Sequence, residues 1–242
     1  MKIFFCADER NNEANQKLRA CIKRYGQADL DKADVVVALG GDGFVLKVLR
    51  GLLNNKIPVF GLNFGHVGYL LNHYRPEGLP ERIAAAKTMH LTPLVVRAES
   101  FDGKMIQEHV FNDVSLTRQS PQAARLTTLI TDEKNNEPLI MEQTVFGDGL
   151  IVATPIGSSG YYTSAGGQPF PAQTGLIGVK GTNCRESYNP IVSDKAHIFV
   201  QPQEPVKRPI QLDCDGKKRF KNIATALIQA ATGKTQTLLV ER

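Results

Sequence analysis

Gly40-Gly41-Asp42-Gly43 sets a single carboxylate among three glycines. Glycine permits positive φ and lets the backbone approach an anion closely, so this loop suits a phosphate. The aspartate fits that purpose badly, because a carboxylate repels phosphate unless a metal or a proton transfer is involved. Beside a phosphate cradle, however, a carboxylate can accept the proton of an attacking hydroxyl, help worth roughly 10²–10⁴-fold in rate. Phosphoryl transfer otherwise needs mainly positioning and charge stabilisation. Taken alone, the four residues read more simply as a tight turn whose Asp caps the next helix. The setting tips the balance toward chemistry. An apolar run precedes the loop and a helical pattern follows it, and ligands of open α/β sheets bind where such loops lie. No Gly-Lys-Ser/Thr follows, which excludes a P-loop. Gly41-x-Gly43 continues to Leu46 rather than to glycine, which disfavours a hydride-transferring dehydrogenase.

Three further blocks carry chemistry-bearing residues. Gly61-Leu62-Asn63-Phe64-Gly65-His66-Val67-Gly68-Tyr69-Leu70 has three glycines suited to a loop pressed against a ligand or another backbone. Phe64 or Tyr69 can offer a flat surface to a base, although a single aromatic is more often core, and His66 reads as a hydrogen-bonded loop histidine. Asn112-Asp113 pairs an amide with a carboxylate, a combination able to bind ribose hydroxyls or an adenine edge; an Asx turn or bulge is an equal reading. The segment from Gly147 to Gly167 runs from an apolar stretch into glycine and hydroxyl residues that can offer many donors to phosphates and sugars. Thr154-Pro155 and Tyr161-Tyr162 make it too specific for a flexible spacer.

These blocks need a frame, and the hydrophobic pattern supplies one. Lys2–Cys6 reads as a strand and Asn12–Tyr25 as a polar amphipathic helix. Val35–Leu39 is a continuous apolar run, the mark of a strand buried on both faces of a parallel sheet. Phe44–Leu53 reads as a helix, Ile57–Gly61 as the next strand and Glu81–Lys87 as another helix, a βαβ order. After Pro93 the texture changes to short alternating runs: Leu94–Ala98, Glu108–Leu116, Thr127–Thr131, Thr144–Phe146, Leu150–Val152 and His197–Gln201. Asp102-Gly103, Asn135-Asn136, Pro202 and Pro205 punctuate them. The expected fold is α/β plus all-β: a Rossmann-like α/β domain over residues 1–92, then a β-rich, sandwich-like domain over 93–242. The last strands are free to pack back on the first domain.

Composition bounds the rest. The 242 residues are 42% hydrophobic and 22% charged, enough for a substantial core and too apolar for disorder. No run approaches the ~20 apolar residues of a membrane span. The start reaches charge after a few apolar residues, so it is not a secretory signal and a cytoplasmic address is expected. The +5 net charge is mild and mostly dispersed. Its densest stretch, Lys217-Lys218-Arg219 with Lys221, reads as a solvated hairpin flank rather than a nucleic-acid surface. Cys6, Cys21, Cys184 and Cys214 show no ligand spacing and read as small hydrophobes.

The four blocks, in this order, resemble the NAD kinase family, whose members phosphorylate the adenosine ribose 2′-hydroxyl of NAD. The resemblance spans Gly40 to about Gly167, roughly half the chain. It implies that Asp42 is the catalytic aspartate, with Gly41 and Gly43 beside it in the site. It places Tyr69 on the NAD pocket and Asn112 with Asp113 on adenosine. Asp148 falls on the aspartate that helps bind the second nucleotide portion, and Ser159, Gly160, Tyr161 and Ser164 lie in the segment that closes on the dinucleotide. It further implies NAD and ATP or polyphosphate as substrates, a divalent metal (Mg²⁺) travelling with the phosphate donor, and a homodimer or homotetramer in which neighbouring subunits complete the site. Neither nucleic acid nor membrane is an expected partner. The chain departs from the family at Phe44, where many members have threonine, at Ser159-Gly160 in place of Thr-Ala, and across Leu176–Asn189. Two other readings stand beside this one: a catalytically silent NAD(P)-binding regulator, and a lipid or diacylglycerol-type kinase sharing the Gly-Gly-Asp-Gly loop.

Overall fold

The computed structural model describes every residue except Asn135, Thr232 and Arg242, and describes Lys218 by its backbone only. Asn135, half of an expected turn, therefore lies outside the described residues. The chain forms two compact units, Met1–Leu91 with Lys234–Arg242, and Thr92–Gly233.

The first unit opens with β1 (Ile3–Ala7), α1 (Asn12–Tyr25), β2 (Val35–Gly40), α2 (Asp42–Gly51), β3 (Val59–Asn63), α3 (Leu79–Ala85) and β4 (Lys87–Leu91). Every residue of β2 is buried, as its unbroken apolar run requires of a central strand. β1, β2 and β3 pair in parallel. Asn11 starts α1 by accepting the Ala14 amide at 2.9 Å, and Gly26 ends it at φ 78° with its own N–H on the Ile22 carbonyl. In the sequence α2 begins at Phe44; in the structure it begins two residues earlier, which puts Asp42 in the first turn, where the helix dipole favours a negative charge. A second difference concerns Lys87, expected to end a helix. Ala86 turns to an extended conformation, and Lys87–Leu91 becomes a strand because a β partner is available.

The second unit contains β5 (Leu94–Ser100), β6 (Met105–Val110), β7 (Asp113–Arg118), β8 (Ala124–Asp132), β9 (Pro138–Gly147), β10 (Gly149–Ala153), α4 (Tyr161–Ser164), β11 (Leu176–Thr182), β12 (Ile191–Ser193), β13 (Ala196–Pro202), β14 (Ile210–Cys214), β15 (Lys218–Phe220) and β16 (Ile223–Ala230). Two six-stranded sheets result, in the orders β12-β11-β10-β7-β14-β15 and β6-β5-β16-β13-β8-β9. Their facing side chains, among them Val96, Leu116, Ile130, Leu150, Ile198 and Leu212, form one buried core. β10 is buried along its whole length: Leu150 and Val152 face that core, while Ile151 and Ala153 pack on Tyr162 of α4. The run Glu108–Leu116 divides at Phe111-Asn112. β6 belongs to one sheet and β7 to the other.

The last strand, β17 (Gln236–Val240), returns to the first unit and lies parallel to β3 and antiparallel to β4. It is fastened by side chains. Asn72 donates to the Leu239 carbonyl at 3.0 Å and accepts the Glu241 amide at 2.7 Å. Arg82 binds Glu241 through Nε at 2.7 Å and Nη2 at 2.6 Å. No described helix is long and apolar enough to cross a membrane.

Candidate active site

In the first unit the carboxyl ends of β1, β2 and β3 lie side by side, so the three loops that follow them meet. The Phe64 amide bonds the Gly40 carbonyl at 2.9 Å, and the Asn11 side chain bonds the Phe64 carbonyl at 2.8 Å. This brings the first two sequence blocks together on Asp42. Its Oδ2 accepts the amides of Gly68 and Tyr69 at 3.2 and 3.1 Å, and its Oδ1 accepts that of Leu70 at 2.8 Å. The approach depends on small residues: a Cβ on Gly65 would stand 3.0 Å from the Gly41 Cα. Asn63 Oδ1 accepts the Gly65 amide at 2.9 Å and so shapes the loop from within. Gly41 and Asp42 are partly buried and Gly43 is exposed. The two aromatics part company. Phe64 packs on Tyr74, ring centres 5.1 Å apart, whereas Tyr69 leaves 73% of its surface exposed. His66 is exposed on the same loop.

In the second unit, Asn112 and Asp113 sit where the chain crosses between sheets. Such a corner exposes amides that no strand ladder can pair. Asp215, at the tip of the β14–β15 hairpin, accepts three of them: Phe111 at 3.1 Å, Asn112 at 2.7 Å and Asp113 at 3.3 Å. Thr154 takes the opposite side, its hydroxyl between the carbonyls of Phe111 and Asn112 at 2.5 and 3.0 Å. The Gly157 amide closes on that hydroxyl at 3.1 Å. A Cβ on Gly157 would lie 2.0 Å from the Asn112 oxygen, so glycine is required there. The third and fourth blocks are thus one constellation. Burial, and then the neighbouring Asp215 charge, push the Asp113 carboxyl up to about 6.

Ser159, Gly160, Tyr161 and Ser164 are exposed. They are hung on Tyr162, which is fully buried, bonds Asn189 at 3.0 Å and meets Phe170 edge-on. Of the two adjacent tyrosines, one is core and one is surface. Ser159 and Ser164 turn their hydroxyls to the carbonyls of Ile156 and Gly160 at 3.2 and 3.3 Å. Asp148 stands apart from this group. Asn183 Nδ2 at 2.7 Å and Arg118 Nε at 2.6 Å bind its carboxylate and hold it below the usual range. It precedes β10, while Thr154 follows it, so at roughly 3.4 Å per residue the two are about 20 Å apart.

Sequence reasoning missed Asp215, Asn63, Arg118 and Asn183. Asp215-Gly216 carried a turn signal but nothing to connect it with residues a hundred positions earlier. Arg118 and Asn183 become neighbours only through the pairing of β7, β10 and β11.

The comparisons with known proteins agree along the whole chain. A family model described as the ATP-NAD kinase N-terminal domain matches residues 6–90, and one described as the ATP-NAD kinase C-terminal domain matches residues 111–242. An NAD kinase of Hyphomonas neptunium is 34% identical over 244 aligned positions, covering 100% of this chain and 92% of the relative. One of Mesorhizobium japonicum is 35% identical, covering 95% and 88%. Among solved structures, yeast NADH kinase complexed with NADH superposes with a TM-score of 0.83 at 19% identity, covering 100% of this chain and 84% of that one. An NAD kinase from Archaeoglobus fulgidus in complex with ATP gives 0.74 at 21%, covering 96% and 91%. At such identities these two likenesses speak for the fold.

Proposed function

The chain belongs to the NAD kinase family, and from that premise we propose how its residues divide the reaction, with Asp42 as the general base. NAD is phosphorylated to NADP. The adenosine ribose 2′-hydroxyl gives its proton to the Asp42 carboxylate as its oxygen forms a bond to the terminal phosphorus of ATP or polyphosphate. The bond from that phosphorus to the bridging oxygen breaks, and ADP or a polyphosphate one unit shorter leaves. The observation that carries this assignment is the environment of Asp42. A carboxylate offers about four lone-pair sites, and three are taken by the amides of Gly68, Tyr69 and Leu70. One is left to receive a proton, on a side chain that cannot swing away.

The backbone of Gly41 and Gly43 faces the donor phosphates, and the exposed Tyr69 ring supplies an apolar wall for NAD. Asn112 and Asp113 bind the adenosine, the amide toward the base and the carboxylate toward the ribose. Ser159, Gly160, Tyr161 and Ser164 fold over the dinucleotide. Among the described residues no cluster of three or more His, Cys, Asp or Glu is placed to hold a metal. A Mg²⁺ carried in on the donor phosphates would keep most of its water and need at most one carboxylate from the protein. The cation would neutralise charge on the transferred group. Asp148, about 20 Å along β10 from the adenosine corner, serves nucleotide held by a second subunit, and a homodimer or homotetramer is the working assembly. A cytoplasmic location suits both substrates.

The test is to incubate the protein with NAD and Mg²⁺ and each of ATP and polyphosphate, and to assay NADP; NADH is run beside NAD as acceptor. NADP from at least one donor is the expected result. Its absence with every donor sinks the reading.

A further inference from the structure

We propose that Asp215 is a positioning residue for nucleotide binding: its carboxylate fixes the Phe111–Asp113 corner in the conformation that presents Asn112 and Asp113 to the adenosine. The inference rests on the assignment of that pair to adenosine. Three observations carry it. First, one carboxylate accepts the corner's three consecutive amides, at 3.1, 2.7 and 3.3 Å, from more than a hundred residues away. Second, the grip is reciprocal, since the Asp215 amide donates to the Asp113 carbonyl at 3.0 Å. Asp215 adopts φ 50° to do so, a left-handed conformation that aspartate tolerates better than most residues. Third, Thr154 bonds the carbonyls on the other side, which leaves the corner's backbone satisfied on both flanks.

That arrangement singles out two groups. Neither the side-chain carboxamide of Asn112 nor the carboxylate of Asp113 is hydrogen-bonded to another described side chain, so these side chains are the groups the corner keeps for a ligand. Holding them in place beforehand spares the nucleotide the cost of ordering the bend. Asp215 does this without touching the nucleotide. Standing beside Asp113, it is also a second carboxylate that keeps the corner electronegative, which favours ribose hydroxyls and adenine amino protons over phosphate.

Steady-state kinetics on the full-length protein, varying NAD and ATP separately, together with calorimetric titration of NAD without donor, decide the matter. Asp215→Ala is expected to raise KM and Kd for NAD tenfold or more, with KM for ATP within twofold and kcat within about threefold. Asp215→Asn keeps an oxygen for the Asn112 and Asp113 amides but turns an NH₂ toward that of Phe111. Its loss in NAD affinity should fall between parent and alanine variant. An Asp215→Ala protein with KM for NAD within twofold of the parent overturns the proposal. So does one whose two KM values and kcat deteriorate together, the mark of a fold staple. Should the alanine variant not fold, Asp215→Asn decides alone: a threefold or larger rise in KM for NAD with ATP unaffected supports the proposal, and no rise refutes it. A parent that binds NAD but makes no NADP would defeat the kinase reading, while the ratio of Kd values still tests Asp215. A parent that does not bind NAD overturns both.

Discussion

Leu70 gives its amide to the Asp42 carboxylate at 2.8 Å, the shortest of the three backbone contacts that aspartate receives. The bond joins a helix that starts at the end of β2 to a loop that starts at the end of β3. It makes the carboxylate and the loop bearing Tyr69 one object. A base held this way has little freedom to lose on reaching the transition state, which is the advantage of fixing a catalytic group in advance.

Asp42→Asn tests the base directly. The amide has nearly the same shape and keeps one oxygen for the loop, but it cannot take a proton from a hydroxyl. Turnover should fall by about 10²–10⁴-fold while calorimetric NAD binding stays within a fewfold of the parent. Turnover within twofold of the parent would remove Asp42 from this role.

Gly157→Ala tests the contact between the third and fourth blocks. The added methyl would start 2.0 Å from the Asn112 oxygen, and the Thr154 hydroxyl fixes that carbonyl from the other side. Relief requires the backbone to move, so stability should fall by at least about 1–3 kcal/mol, and NAD affinity should fall with it. Chemical denaturation and NAD titration measure the two effects. A fully stable variant with normal affinity would show that the corner yields easily.

The elements of this fold were readable where one stretch of chain contains its own reason. α1 has its cap, its apolar face and its terminating glycine within the sixteen residues from Asn11 to Gly26, and β2 announces itself by an unbroken apolar run. What escaped notice depends on partners remote in sequence. Lys87–Leu91 is a strand because Gln236–Val240 pairs with it, and β11 lies in a segment that matched the family poorly. The same holds at the site. Asp42 stands out because a carboxylate among glycines is chemically odd. Asp215, an ordinary hairpin aspartate by sequence, becomes important only once the hairpin tip meets the sheet crossing. Phe64 and Tyr69 were equivalent as letters and differ only in which side of the loop packs.

Arg82→Ala should loosen the C-terminal strand. The guanidinium grips Glu241 with two bonds, donates to the carbonyls of Arg75 and His73 at 2.9 and 2.7 Å, and is largely buried, with 13% of its side chain exposed. Hydrogen bonds to charged groups contribute about 1.5–3 kcal/mol, and a loss of that order is expected in denaturant unfolding. Amide exchange should quicken first in β17 and β4. Unchanged protection of those strands would mean that the ladder alone holds them.

Asp113 links stability to pH in a direction opposite to that of Asp148 and Glu241. Its folded-state value is about 6 against an ordinary 3.8, so between those limits the folded chain holds a proton that the unfolded chain has released. Stability from this group is therefore fully present below pH 4, is lost as pH rises toward 6, and stays lost above that, at a slope of at most about 1.4 kcal/mol per pH unit. Asp148 and Glu241, both held below their ordinary values, act the other way and mask the effect in the parent. The difference between parent and Asp113→Asn isolates it. Melting temperatures measured from pH 4 to 8 should show the variant gaining on the parent as pH rises to about 6, with a constant margin beyond. NAD affinity should move in the opposite sense, because the asparagine cannot accept from ribose hydroxyls as a carboxylate does. A margin that does not change with pH would mean that Asp113 ionises in the folded protein as it does in the unfolded chain. If the affinity and stability changes do oppose each other, the buried charge is being kept for the ligand at the expense of the fold.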